Sequence, residues 1–405
     1  MNPPSKPRLK LRLSPAAEKA VRQGHPWIYA NRIRDQNRAG DAGEFAVVYD
    51  RRDRFLAIGL YDPDSQIAVR VVHAGSPVQI DDAWWAERMA EPLQKRRELF
   101  ANEQTTGYRC INGESDGWPG LILDRYADCA VLKLYSPVWF PHLERIVSLI
   151  KNELQPNHLV LRLSRNSEEA ATALGLHDGK LMFDAGLKNP VVFEENGLWF
   201  EADVLRGQKT GFFLDQRDNR KRVGELAAGR DVLNVFSHAG AFSVYAAAGG
   251  ARSTADLDIS EHAIQAAARN MKLNSGSAKI ASCPHRTIKA DAFDWLSGQT
   301  ESTYDLVIID PPSLAKRELE KEGAINAYEQ LAREGFRLLR PGGIFVSASC
   351  SSHVGADEFF EIARHAATQS RAQVSELATT LHTADHPAAI PEAHYLKCIF
   401  LKKTG

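Results

Sequence analysis

The chain has 405 residues, 44% hydrophobic and 25% charged, which excludes wholesale disorder and predicts two or three domains. No stretch approaches the roughly 18 uninterrupted apolar residues of a membrane span, and residues 1–13 mix prolines with Lys6, Arg8, Lys10 and Arg12 instead of carrying the apolar core of a secretory signal. The formal charge of −1 hides two basic clusters.

Residues 1–40 carry nine Lys or Arg against Glu18 and Asp35, and a second cluster comprises Arg206, Lys209, Arg217, Arg220, Lys221 and Arg222, offset by Asp215 and Asp218. Local basic density, not net charge, meets a phosphate backbone. Both clusters are therefore candidate nucleic-acid contacts, Lys209 and Arg220 among them, although a solvated face is the plainer reading of any charge run. The five cysteines, Cys110, Cys129, Cys283, Cys350 and Cys398, are scattered, odd in number and free of any CxxC pair. That argues against disulfides and structural zinc, so no metal is expected, and a cytoplasmic location is.

In chain order, Leu9, Leu11 and Leu13 alternate with Lys10 and Arg12, a strand period. A helical turn at 15–23 and strands at 44–49, 55–61 and 67–73 complete a small β-rich module over 1–75. A helix over 81–100, which Pro92 should bend or interrupt, strands at 108–112, 121–126 and 130–135, a helix at 141–154 and a strand at 158–164 suggest an α+β middle domain over 76–190. From 231 the pattern alternates. Strands are expected at 232–236, 253–259, 286–290, 306–310 and 344–349, helices at 241–248, 261–273, 322–339 and 356–368, and a last strand at 395–402. Such alternation implies a doubly wound parallel sheet in a domain spanning 191–405.

Ligands bind outside the carboxyl ends of such strands. The first strand runs into Asn234-Val235-Phe236-Ser237-His238-Ala239-Gly240, which lacks GxGxxG spacing and has one glycine at the turn. That suits a ligand without a phosphate to cradle, though a plain strand-to-helix turn reads equally well. Asp258, followed by Ile259, ends the second strand, where a carboxylate can accept both hydroxyls of a ribose. Asp291-Ala292-Phe293 follows the third, a carboxylate and an aromatic suited to an adenine, and Asp310-Pro311-Pro312 follows the fourth.

This set resembles the class I S-adenosylmethionine-dependent methyltransferases, a Rossmann-like α/β fold. More closely, the chain resembles the large-subunit ribosomal RNA cytosine-C5 methyltransferase I family along its whole length. The matching stretches are His25-Pro26-Trp27-Ile28-Tyr29, residues 113–124, the run Gln208-Lys209-Thr210-Gly211-Phe212-Phe213-Leu214-Asp215-Gln216-Arg217, residues 234–242, Asp310-Pro311-Pro312 and Ser349-Cys350-Ser351. His238-Ala239 and Ser313-Leu314 depart from the family's usual Tyr-Thr and Lys-Phe. The resemblance implies a PUA-type barrel at the start, the methyltransferase at the end and S-adenosyl-L-methionine as cofactor. It implies that Phe213, Gln216 and Arg217, with Asn234, Phe236, Ser237, Gly240, Asp258, Ile259, Asp291, Ala292, Phe293 and Asp310, bind the cofactor. Large-subunit ribosomal RNA is the implied partner, with no membrane; a homodimer stays open.

The residue chemistry agrees with this. Carbon 5 of cytosine is a poor nucleophile until a thiolate adds at carbon 6, and Cys350 closes the strand beside Asp310-Pro311-Pro312, where such a thiolate is needed. The commoner reading of a cysteine is a small buried apolar residue, and the other four keep it. Asp310 is expected to hold the cytosine's N3 and exocyclic amine, with Pro311 and Pro312 as a rigid loop against the base. Two other readings compete: an adenine-N6 or guanine-N2 methyltransferase, and a non-catalytic RNA-binding or ribosome-assembly factor.

Overall fold

The computed structural model describes residues 6–102, 104–183, 186–315 and 317–404. The chain divides into two compact units, one of residues 1–102, 106–191 and 202–212, the other of residues 103–105, 192–201 and 213–405.

The first unit holds two sheets. Leu9–Leu13 buries its three leucines and exposes Lys10 and Arg12, as its period of two requires. It pairs in parallel with Phe45–Tyr49 and antiparallel with Ile33–Gln36, an edge strand of a six-stranded sheet that also contains Phe55–Tyr61, Ile67–Ala74 and Trp27–Tyr29. A five-stranded sheet follows, ordered Lys180–Phe183, His158–Leu163, Cys129–Leu134, Leu121–Tyr126 and Gly107–Asn112.

The helix Asp82–Leu99 packs on this second sheet and runs through Pro92 without a break, against the expectation. The reason is local. Proline removes the N–H that would bond the carbonyl four residues back, and that carbonyl, of Arg88, instead accepts the indole N–H of Trp118 at 3.2 Å. Trp118 is itself buried among Trp85 and Trp139.

The second unit is a seven-stranded sheet. Its strands are β1 (Asp231–Val235), β2 (Ser253–Asp258), β3 (His285–Lys289), β4 (Tyr304–Ile309), β5 (Leu339–Ser349), β6 (Val374–Thr380) and β7 (Lys397–Lys403). The spatial order is β3-β2-β1-β4-β5-β7-β6, the first five parallel and β7 antiparallel to both its neighbours. The doubly wound sheet expected from the alternation is therefore present, with β6 as a strand that the sequence reading omitted. Interposed helices are α1 (Arg217–Leu226), α2 (Ala241–Ala248), α3 (Glu261–Leu273), α4 (Ala292–Ser297), α5 (Lys321–Leu338) and α6 (Ala356–Gln369). Strands covered on both faces read as continuous apolar runs: Leu306 to Ile309 and Ile344 to Val346 are all buried. Chain order reverses between β1 and β4, so the carboxyl ends of β1, β2, β4 and β5 share one edge.

Among the described residues no helix is long and apolar enough to cross a membrane, and no group of three or more His, Cys, Asp or Glu could hold a metal ion.

Trp118→Phe removes the donor to the Arg88 carbonyl. It should lower stability by about 1–3 kcal/mol, the cost of an unsatisfied buried acceptor, read from urea denaturation followed by far-ultraviolet circular dichroism.

Candidate active site

The turn after β1 sets the site. Phe236, His238 and Gly240 all have positive φ, of 58°, 47° and 68°. Left-handed backbone is strained at residues with a Cβ and persists where the surroundings over-determine it. Here the Ser237 amide donates to the Leu257 carbonyl, the Gly240 amide to the Ser237 carbonyl, and the His238 amide to Asp258 Oδ2 at 2.9 Å. The Ser260 amide occupies Asp258 Oδ1, also at 2.9 Å. Gly240 starts α2 and has no room for a side chain: a Cβ would meet Ala267 Cβ and Asp256 Oδ2, each at 2.6 Å.

Asn234 does not point outward from this turn. It is buried and donates to Asp256, which also accepts from Ser243 at 2.6 Å and contacts His285 Nε2 at 2.8 Å. The buried network holds β1, β2, β3 and α2 together beneath the turn. Aromatic rings flank it: Phe213 meets His238 edge-on at 4.8 Å, and Phe236 meets Phe293 at 6.3 Å. Asp291 caps α4, its Oδ1 accepting the amides of Phe293 and Asp294, and Ala292 is buried.

On the neighbouring strand, Asp310 follows β4 and accepts from Gln216 Nε2 at 2.9 Å. Cys350 follows β5, and its Sγ lies 4.0 Å from the Pro311 carbonyl. The Ala315 carbonyl accepts both the Ser313 and Ser351 hydroxyls, stitching the loop after Pro312 to the residue after Cys350. Of the five cysteines, Cys350 alone is half-exposed; the other four are buried.

Part of the second basic cluster is not surface: Arg217 and Arg220 are buried, whereas Arg206 and Lys221 are exposed. Arg220, expected to contact substrate, is 2% exposed; it gives two hydrogen bonds to Glu195, at 2.8 and 2.7 Å, and one to the Phe213 carbonyl. The correction is physical: a desolvated guanidinium needs a buried carboxylate, and Glu195 arrives on the hairpin of Val191–Glu195 and Leu198–Ala202. Arg217 is buried likewise, bonded to both oxygens of Asp385. Lys209, in the first unit, is half-buried, and its carbonyl accepts from Lys133.

Three features escaped the sequence reading. The Asn196-Gly197 turn of that hairpin was a legible signal. Tyr328 on α5, whose hydroxyl meets Ser349 at 2.9 Å, carries no motif that would single it out. Lys397, a lysine inside an apolar strand, was a visible anomaly.

The profile of the S-adenosylmethionine-dependent methyltransferase family matches residues 155–397, and that of a PUA-like domain matches residues 11–73. The ribosomal RNA large subunit methyltransferase of Deinococcus radiodurans is 54% identical over 404 residues, covering 98% of each chain. The chain belongs to this methyltransferase family. Ribosomal RNA large subunit methyltransferase I of Shewanella denitrificans is 33% identical over 397 residues, covering 96% of this chain and 98% of the relative. In fold the methyltransferase is similar to the solved structure of SMU.776 in complex with SAH, with a TM-score of 0.81 at 22% identity, covering 97% of this chain and 99% of that one. The N-terminal sheet is thus PUA-like, and the cofactor is S-adenosylmethionine.

Residues at the strand ends of the methyltransferase fit that cofactor. The Ser237 hydroxyl is buried with no hydrogen-bond partner. Asp258 spends one acceptor position per oxygen on backbone amides, of about four that a carboxylate has, and the apolar Ile259 beside it is 66% exposed. Such a set suits a ligand with hydroxyls and an apolar face. Asp258→Ala should weaken S-adenosylmethionine binding by about 1.5–3 kcal/mol, roughly ten- to hundredfold in Kd; unchanged affinity by calorimetry would remove Asp258 from the site.

Proposed function

We propose that the chain forms 5-methylcytosine in large-subunit ribosomal RNA, with Cys350 adding to carbon 6 of the base. One juxtaposition carries this reading: the half-exposed Cys350 stands against the Pro311 carbonyl, at the carboxyl ends of adjacent strands. Ribosomal RNA large subunit methyltransferase is the name carried by relatives matching nearly the whole chain.

S-adenosylmethionine, when bound, supplies an electrophilic methyl group; the turn at 236–240, Asp258, Ile259 and the Asp291–Phe293 corner would hold it. The cytosine must leave its stack before either reacting carbon is accessible. The Cys350 thiolate then forms a bond to carbon 6, and the electron pair of the 5,6 double bond becomes available at carbon 5. Asp310, oriented by Gln216, holds N3 and the exocyclic amine, stabilising the proton that N3 gains. After carbon 5 has taken the methyl group, a base removes its proton, which restores the double bond and expels the thiolate, and N3 gives its added proton back to solvent. Pro311 and Pro312 keep the loop extended so that base and thiol meet at fixed distance. An amino-group methyltransferase has no use for the thiol, and Leu314 gives it no aromatic surface on which to stack a base.

The ribosomal RNA is met by the PUA-like sheet. Arg8, Lys10, Arg32 and Arg34 are exposed on or beside the paired strands Leu9–Leu13 and Ile33–Gln36, whereas Lys6, Arg12 and Arg22 are in ion pairs with Asp41, with Asp35 and Asp53, and with Asp50. Each phosphate contact releases counterions. Arg34→Ala should reduce the salt slope of RNA binding by about one; filter binding across a salt series that leaves the slope unchanged would exclude that contact.

Cys350→Ala should abolish methyl incorporation at carbon 5 and leave cofactor affinity nearly intact, since the thiol is assigned to the base. RNA containing 5-fluorocytosine should trap a covalent adduct on the wild type, because fluorine blocks the final proton removal. Substantial carbon-5 methylation by Cys350→Ala would refute the mechanism.

A further inference from the structure

Lys397 opens β7 directly opposite Ser349, the residue before Cys350. It is 2% exposed. Its ammonium donates to three backbone carbonyls, of Ser351, of Val354 at 2.5 Å and of Tyr395 at 3.2 Å. Three neutral acceptors satisfy its three N–H bonds but supply no countercharge. Glu358, the carboxylate that acts on it from α6, is paired with Lys321 at 3.0 Å.

A buried ammonium without a paired anion is expensive to keep, and this one is kept next to a half-exposed thiol. Burial pushes Lys397 down to about 8, opposed by the attraction of Cys350 and then of Glu358. Tyr328 of α5, beside the thiol, is pushed up to about 12, first by burial, and so is neutral in the working range.

We infer that Lys397 is a positioning residue for Cys350: its ammonium clamps the carbonyls of the 351–354 loop and provides the positive charge that favours the thiolate. The inference rests on the reading of Cys350 as nucleophile. It also fixes a direction with pH. The support is present while Lys397 is protonated, below about pH 8, and is lost as the pH rises through that value.

Lys397→Met keeps the apolar stem and removes the charge. The pH midpoint for iodoacetamide alkylation of Cys350, followed by peptide mass, should rise by about one unit, the lower end of what a nearby opposite charge contributes. Calorimetric S-adenosylmethionine affinity should not change. A purely structural lysine would leave the midpoint where it was, and an unmoved midpoint in the folded variant overturns the proposal. A second measurement needs no lysine variant: in Cys350→Ala, the ε-carbon resonance of Lys397 in 13C-lysine protein should titrate at lower pH than in the wild type, and an unmoved titration overturns the proposal equally. The two readings fail differently. Retained carbon-5 methylation by Cys350→Ala removes the nucleophile and the positioning role of Lys397 together, whereas an unmoved midpoint beside an inactive Cys350→Ala removes Lys397 alone.

Discussion

Parallel strands place all their carboxyl ends on one edge, and with β1 and β4 adjacent at the centre, the chain must leave that edge in opposite directions. Everything at the candidate site depends on this divergence. The β1 turn goes one way through left-handed backbone at Phe236, His238 and Gly240, and the β4 loop goes the other through Asp310, Pro311 and Pro312. Strain of that kind costs on the order of 1–3 kcal/mol per residue. It is offset by the amide bonds into Leu257, Ser237 and Asp258, and by the buried Asp256 network that ties the first three strands to α2. Asp258 therefore shapes the turn and presents acceptor capacity at the strand end.

Buried ion pairs hold the rest of the scaffold. Arg220 with Glu195, and Arg217 with Asp385, lie wholly within the second unit. Burial would raise the Asp385 carboxyl, but His386 and Arg217 hold it well below the usual carboxylate range. Pairs like these contribute little net stability against an apolar replacement, yet breaking one leaves an uncompensated charge. Their effect is to fix geometry. The segment that carries Gln216 is clamped on both sides, so that Gln216 can orient Asp310. Two arginines of a stretch that looks basic in sequence are structural.

Legibility in the sequence followed the range of the interaction. Helices α2 and α3 begin and end where their apolar period predicts, and β1 to β5 lie within a few residues of their expected positions, because both elements are specified by neighbours along the chain. Asp258, Asp291 and Asp310 were singled out by strand order, and each lies at or just after the end of its strand. Two of the failures involve partners far away in sequence. Pro92 reads as a helix breaker until Trp118 supplies the missing donor. Arg220 reads as a phosphate contact until Glu195 reaches it. The strand β6, with its polar, half-exposed face, carries no apolar run to announce it.

By itself, then, the sequence determined the alternating sheet, the order of its strand ends and a cysteine placed beside Asp310-Pro311-Pro312, since each of these follows from residue period and chain order. Only the tertiary structure decided which charges are exposed and which are buried. A lysine or arginine carries the same charge on the page wherever it sits. Its free energy depends on how much water remains and on which group faces it, and for Lys397, set against the Ser351 and Val354 carbonyls, those are fixed only when β7 inserts between β5 and β6.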